Sequence, residues 1–160
     1  MLKQALISMK IYLILNSILL LLCYLPCKAE DIKENTSFPV GEMEFNMLIQ
    51  YKDQEVTSLC ILEVQEDHSI VGTVINEFGI KVFDFTFSNG KAKILNVLGP
   101  LNKWYIRNVI RGDFTFLLKN LPLHQNVKEK KRSLYYLNDI EIKCVNEKYK
   151  IIYTLTPMIR

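Results

Sequence analysis

Residues 76 to 97 read "NEFGIKVFDFTFSNGKAKILNV" and place Phe83, Phe85 and Phe87 at every second position. Side chains two residues apart share one face of a β-strand, so the three rings line one side while Asp84 and Thr86 line the other. Asn89-Gly90 ends the run, and a second alternating run, "KAKILNVLG", follows. A type I′ turn needs positive φ at both central residues, which Asn-Gly accommodates, so the two runs read as a hairpin.

The same period governs the preceding segment. In "EMEFNMLIQYK", Met43, Phe45, Met47, Ile49 and Tyr51 share one face opposite Glu42, Glu44, Asn46 and Gln50, with Leu48 the exception. "EVTSLCILEVQ" and "IVGTVINEF" are the next two strands, separated by the turn segments "KDQ" and "EDHS". Five successive strands joined by such short turns make an antiparallel meander, since a parallel crossover needs a far longer connection.

The period then lengthens. In "LNKWYIRNVIRGDFTFLLKNL", Ile106, Val109, Ile110, Phe114, Leu117 and Leu118 recur at helical spacing, with Lys103, Arg107 and Arg111 on a separate stripe. Asn102 is placed to cap this helix, Pro122 lies beyond its end, and Gly112 marks a kink or a split into two short helices. After the loop "NLPLHQNVKEKKR", alternation returns in "SLYYL", "DIEIKCV" and "KYKIIYTLT". The expected fold is α+β: a curved antiparallel sheet of about eight strands, forming a half-barrel, with one amphipathic helix between the fifth and sixth strands.

Ahead of this domain, "MLKQALISMKIYLILNSILLLLCYLPCKAED" has Lys3 and Lys10 near its start, an apolar stretch from Ile11 to Leu25, then Pro26 and small or polar residues. That order is the layout of a secretory signal over residues 1–29. A retained anchor is the rival reading, but the stretch falls short of the roughly 20 apolar residues of a span. Cleavage after Ala29 leaves Glu30 as the N-terminus; alternatively Cys27, soon followed by Glu30 and Asp31, is a lipidated first residue that would tether the chain to a membrane. Residues 30–39 read as a polar tether and 40–160 as one domain.

Charge and cysteine use narrow the function classes. The formal +3 is 20 basic minus 17 acidic residues, and removal of Lys3, Lys10 and Lys28 with the signal leaves 17 against 17. A neutral chain has no long-range field to steer it onto nucleic acid or an anionic membrane, and the run from Lys128 to Arg132 reads as a solvated loop. Cys60 and Cys144 fall among inward strand positions, alongside Val56, Leu62 and Val64 for one and Ile140 and Ile142 for the other. They read as small buried hydrophobes, and a disulfide between them would require Cα atoms within about 7 Å.

No catalytic, metal or cofactor site is expected. His68 and His124 stand in surface turns without ligand-spaced partners, and Ser58 and Ser69 lack a nucleophile elbow. Glycines are too few and scattered to cradle a phosphate. Tyr105 beside Trp104 suits helix packing better than stacking on a sugar or base. The Met- and Phe-rich strand faces allow two readings, a filled core or a cavity for an apolar guest.

Residues 60 to 118 also resemble a family of poorly characterised envelope proteins of Bacteroidetes. The resemblance is carried by Phe78-Gly79, Phe83-Asp84-Phe85, Leu101-Asn102-Lys103, and Asp113-Phe114 through Leu117-Leu118. Such proteins are broadly similar to the LolA/LolB lipoprotein-carrier superfamily, whose half-barrel binds acyl chains under a helical lid. The resemblance implies an exported, non-catalytic protein of the periplasm or the periplasmic face of the outer membrane, read here as a monomer. Its partner would be an apolar or acylated ligand. The lining would come from Met43, Phe45, Met47, Phe83, Phe85 and Phe87, with Trp104, Ile106 and Ile110 on the covering helix. The alternative is a solid-cored structural or interaction module that binds another envelope protein and no ligand.

Overall fold

The computed structural model describes residues 38–138 and 140–158. Nine antiparallel strands and one α-helix occupy them: β1 Gly41–Tyr51, β2 Gln54–Val64, β3 Ile70–Asn76, β4 Lys81–Ser88, β5 Lys91–Leu95, α1 Trp104–Asn120, β6 Val127–Glu129, β7 Arg132–Tyr136, β8 Ile142–Asn146 and β9 Ile151–Pro157. All nine form a single sheet in the order β5-β4-β3-β2-β1-β9-β8-β7-β6. It does not close, since β5 and β6 are its two edges. The fold class is α+β. The signal at 1–29, most of the tether and Cys27 lie outside the described residues. The tether's last two residues do not stand free, because Phe38 packs half-buried against the core and Pro39 lines a groove at its margin.

Several features depart from the sequence reading of the strands: Val56 and Tyr51, both read on inward faces, are 47% and 43% exposed near the β1–β2 turn, where the sheet face runs out into solvent. β6 is a ninth strand within the segment expected to be loop, three residues that are too short to display a period of two. It forms a hairpin with β7 through Lys130, whose φ is 55°. Ile140, expected on an inward strand face, is an exposed turn residue, and β8 starts only at Ile142. The Asn89-Gly90 turn has φ values of 51° and 69°, as a type I′ hairpin demands.

Register puts the alternating apolar set on one face. Phe45, Cys60 and Val74 are cross-strand neighbours, as are Gly72, Phe85 and Ile94. Gly72 is there to make room: a Cβ would sit 2.3 Å from the Phe85 ring and 2.6 Å from the Ile61 carbonyl oxygen. Against this face lies the C-terminal half of α1, where Phe114, Phe116, Leu117 and Leu118 are buried. The Phe114 ring centroid is 5.1 Å from that of Phe83, 5.0 Å from Phe85 and 6.1 Å from Tyr153, in tilted or edge-on arrangements that aromatic pairs favour.

The helix is one continuous segment through Gly112, not two short helices. Glycine serves close approach instead, since a Cβ at 112 would meet the Arg132 guanidinium at 2.5 Å. Nor does Asn102 cap the helix. Lys103 is the N-cap and makes no side-chain cap bond, while the Asn102 N–H closes a preceding turn on the Gly99 carbonyl. Among the described residues no helix is long and apolar enough to cross a membrane.

Candidate functional site

β1 and β9 stop pairing at Phe45 and Pro157, with one further bond from the Met158 N–H to the Glu44 carbonyl at 2.9 Å. Before Phe45, β1 continues along β2 alone, so one flank of Gly41–Glu44 is left without a strand neighbour. The 3-10 turn that follows α1 faces that flank through Leu121 and Pro122. Asn120 Nδ2 bonds the Phe116 carbonyl at 2.7 Å, and Pro122 then turns the chain through the 3-10 segment Leu121–Leu123. The Tyr136 hydroxyl holds that turn by donating to the Leu121 carbonyl.

What remains between these pieces is a groove of about 550 Å³. Its walls are Phe38, Met43, Phe45, Leu121, Ile142 and Met158, with Pro39, Pro122 and Pro157; Glu42, Glu44 and His124 supply the polar margin. The lining is mostly hydrocarbon, and no charged group enters it from the core.

The structure divides the residues expected to line a cavity. Met43 and Phe45 do line the groove. Met47 is completely buried beneath the sheet's centre, and its carbonyl accepts a 3.0 Å bond from the buried Ser58 hydroxyl. Phe83 and Phe85 are packed on Phe114 in a filled core, and Phe87 is half-buried beside it. Ile106 and Ile110 are half-buried on α1, while Trp104 is 76% exposed and does not line the groove. The aromatic ribbon thus builds core, with α1 as its other half. Phe38, Leu121, Pro122 and Met158 escaped sequence reading because each comes from a segment end, where no periodicity marks a lining residue, and Ile142 was read as an inward strand position without being assigned to a cavity.

Cys60 and Cys144 are buried and free. β1 and β9 lie between their strands, so they stand three strand spacings apart, about 14 Å along the sheet and beyond disulfide reach. Burial pushes each thiol up to about 12, leaving neither available as a nucleophile near neutral pH.

A second constellation was invisible in the sequence. Asp113, 1% exposed on α1, accepts from Arg132 Nε of β7 at 2.7 Å and Asn146 Nδ2 of β8 at 2.6 Å on one oxygen. Its other oxygen accepts from the Tyr153 hydroxyl of β9 at 3.0 Å. Burial drives the carboxyl above its ordinary range, against the opposing pull of Arg132, Tyr153 and Asn146. The Tyr153 hydroxyl is itself raised by burial and by the neighbouring carboxylate. With both oxygens engaged, and with the neighbouring Cys144 thiol kept protonated by burial, the cluster serves as an anchor for the helix. Arg132 had been counted with the solvated basic loop, and register turns it inward opposite Asn146.

A second cleft, of about 400 Å³, lies between the N-terminal half of α1 and β5. Lys93, Leu95, Trp104, Arg107, Asn108 and Arg111 line it, and Arg107 Nη2 donates to the Ile94 carbonyl at 3.2 Å across it. Among the described residues no group of three or more His, Cys, Asp or Glu side chains is arranged to hold a metal ion. No protein-family model matches the chain, and no curated protein matches it either.

Proposed function

We propose that this chain is an exported, non-catalytic protein of the cell envelope that holds a lipid, an acyl chain or an acylated polypeptide, with its sheet curled into a half-barrel around α1. The curl is supported by bonds from the helix to both flanks of one sheet. Thr115 Oγ1 accepts from the Ala92 N–H of β5 at 3.0 Å, while Asp113 reaches β7, β8 and β9. In this reading the half-barrel's interior is taken up by α1, and the ligand enters where the helix runs out.

The observation that carries the proposal is the 550 Å³ groove walled by Phe38, Met43, Phe45, Leu121, Ile142 and Met158. Small-molecule sites occupy roughly 300–1,000 Å³ and are mostly apolar with a few polar groups at fixed places, as Glu42, Glu44 and His124 are here. Met43 and Met158 suit a chain of no fixed shape, because the thioether side chain adapts to what it covers. Seating about ten methylenes at about 0.8 kcal/mol each gives about 8 kcal/mol, a micromolar interaction before orientation costs.

Titration with a fluorescent long-chain acyl probe, alongside solvent extraction of the purified protein, tests the idea. The wild type should take up the probe, and Met43→Trp, which fills the groove, should weaken uptake at least about tenfold while leaving the fold intact. No uptake, or equal uptake by both proteins, overturns the groove as the site. A second reading, a solid-cored module of an envelope complex, is favoured by the filled Phe83–Phe85–Phe114 core. It expects a stably co-purifying protein and no extractable lipid.

A further inference from the structure

An antiparallel meander sends alternate turns to opposite ends of its strands. The cross-strand pairs Tyr51↔Ile151, Ser58↔Asn76 and Arg132↔Asn146 gather the β1–β2, β3–β4, β6–β7 and β8–β9 turns at one end. The segment leading into α1 joins them, held by the Leu98 N–H on the Val82 carbonyl at 2.8 Å. The groove of the proposed ligand lies at the other end, among the opposite set of connections.

The two ends differ in charge. Residues 52–53, 77–80, 96–103, 130–131 and 147–150, the connections of the first end, contain Lys52, Lys103, Lys130, Lys131, Lys148 and Lys150 against Asp53, Glu77 and Glu147. Residues 65–69, 89–90, 121–126 and 137–141, at the groove end, contain acids such as Glu66, Asp67 and Glu141 and no lysine or arginine. The near-neutral domain is therefore strongly polarised.

The basic end also presents its aromatic side chains to solvent. Phe78 at the tip of the β3–β4 turn is 77% exposed, Trp104 is 76% exposed, and Tyr51, Tyr105 and Tyr149 stand exposed around them. Phe78 is held out by a tight turn in which Asn76 Oδ1 accepts from the Phe78 and Ile80 N–H groups at 3.1 and 2.8 Å, with Gly79 at φ 75°. Adjacent to this end is the 400 Å³ cleft, where Lys93 and Arg111 make no ion pair with any described acid.

Exposed aromatics alone would suit many partners. Aromatics interleaved with cations, two of them lying over the Tyr51 and Tyr149 rings, fit one in particular, because Trp and Tyr settle at the headgroup level of a bilayer while Lys and Arg meet lipid phosphates. Each such cation strengthens binding to an anionic surface about fivefold. We propose that this end of the domain docks on an anionic lipid bilayer, with Phe78 and Trp104 entering the headgroup layer and the Lys93–Arg107–Arg111 cleft taking a lipid phosphate. The inference is independent of the ligand groove, which would then face away from that surface.

Trp104 is the single tryptophan of the chain, so its emission reports this end specifically, whatever other segment meets a vesicle. Phosphatidylcholine vesicles containing phosphatidylglycerol should shift the emission to the blue, high salt should reverse the shift, and pure phosphatidylcholine should leave it small. The exposed substitutions Phe78→Ser and Arg111→Glu should each weaken the response at least about tenfold, with unchanged circular dichroism. Four results would overturn the proposal: no shift with anionic vesicles, an equal shift with neutral ones, wild-type binding by both variants, or a vesicle-free shift that grows with protein concentration and so reports a second copy.

Discussion

Asp113 carries more of the fold's specificity than any apolar side chain, because it bonds three different strands from one position on the helix. Arg132, Asn146 and Tyr153 all spend a polar group on it, and the Arg132 side chain remains 29% exposed, able to keep some hydration. Removing the carboxyl leaves a charge and two polar groups without their partner, so Asp113→Ala should cost about 3–5 kcal/mol. Asp113→Asn keeps one acceptor and should cost about 1–3 kcal/mol. The pH dependence follows from the direction of the shift. Burial raises the folded carboxyl above its usual 3.8, so the folded state holds its proton more tightly than the unfolded chain does. The stability this proton contributes is complete below the unfolded value and is lost as pH rises through the folded one. Urea melts should therefore show the wild type's advantage over Asp113→Asn narrowing from pH ~3.5 to pH ~7. A widening advantage would mean that ionised Asp113 is the better folded form, reversing the sign.

Elements differ in how far the sequence alone disclosed them. Strand faces were legible because burial on one side of a sheet imposes a period of two, which the β4–β5 hairpin follows closely, whereas β1 keeps it only as far as Met47 and ends on an exposed Tyr51. The helix was legible from its apolar stripe, but its boundaries, its Gly112 and its Asp113 were not. Those depend on what the partner strands bring to the contact, which no local pattern encodes. The candidate groove was scarcely legible, with Met43 and Phe45 foreseen for a cavity under the aromatic ribbon that the helix in fact fills. Phe114 is the side chain through which that filling is made, touching Phe83, Phe85 and Tyr153. Phe114→Ala should cost about 3–5 kcal/mol by chemical denaturation, because the rings around it cannot close the gap. Phe87→Ala, at a half-buried position, should cost clearly less. Equal losses at the two positions would deny the helix its place as the core's second half.

Chain order and sheet order together argue that the domain opens as one unit. β1, the first strand, lies in the middle of the sheet and pairs with β2 on one side and with the last strand, β9, on the other. The N-terminal meander and the C-terminal strands are thus joined through a shared strand, and α1 is bonded to both. Neither half can leave without exposing the Phe114 core to water, which favours an all-or-none transition. Cys60 on β2 and Cys144 on β8 report the two halves separately. Since burial pushes both thiols up to about 12, labelling at mildly alkaline pH requires opening. Where closing outruns the reagent, the labelling rate measures the opening free energy at each site. Peptide mapping after alkylation distinguishes the two cysteines from each other and from Cys23 and Cys27. The opening free energies should agree and fall together with denaturant; Cys144 labelling well ahead of Cys60 would make β7–β9 a separate, weaker unit and break the argument from β1.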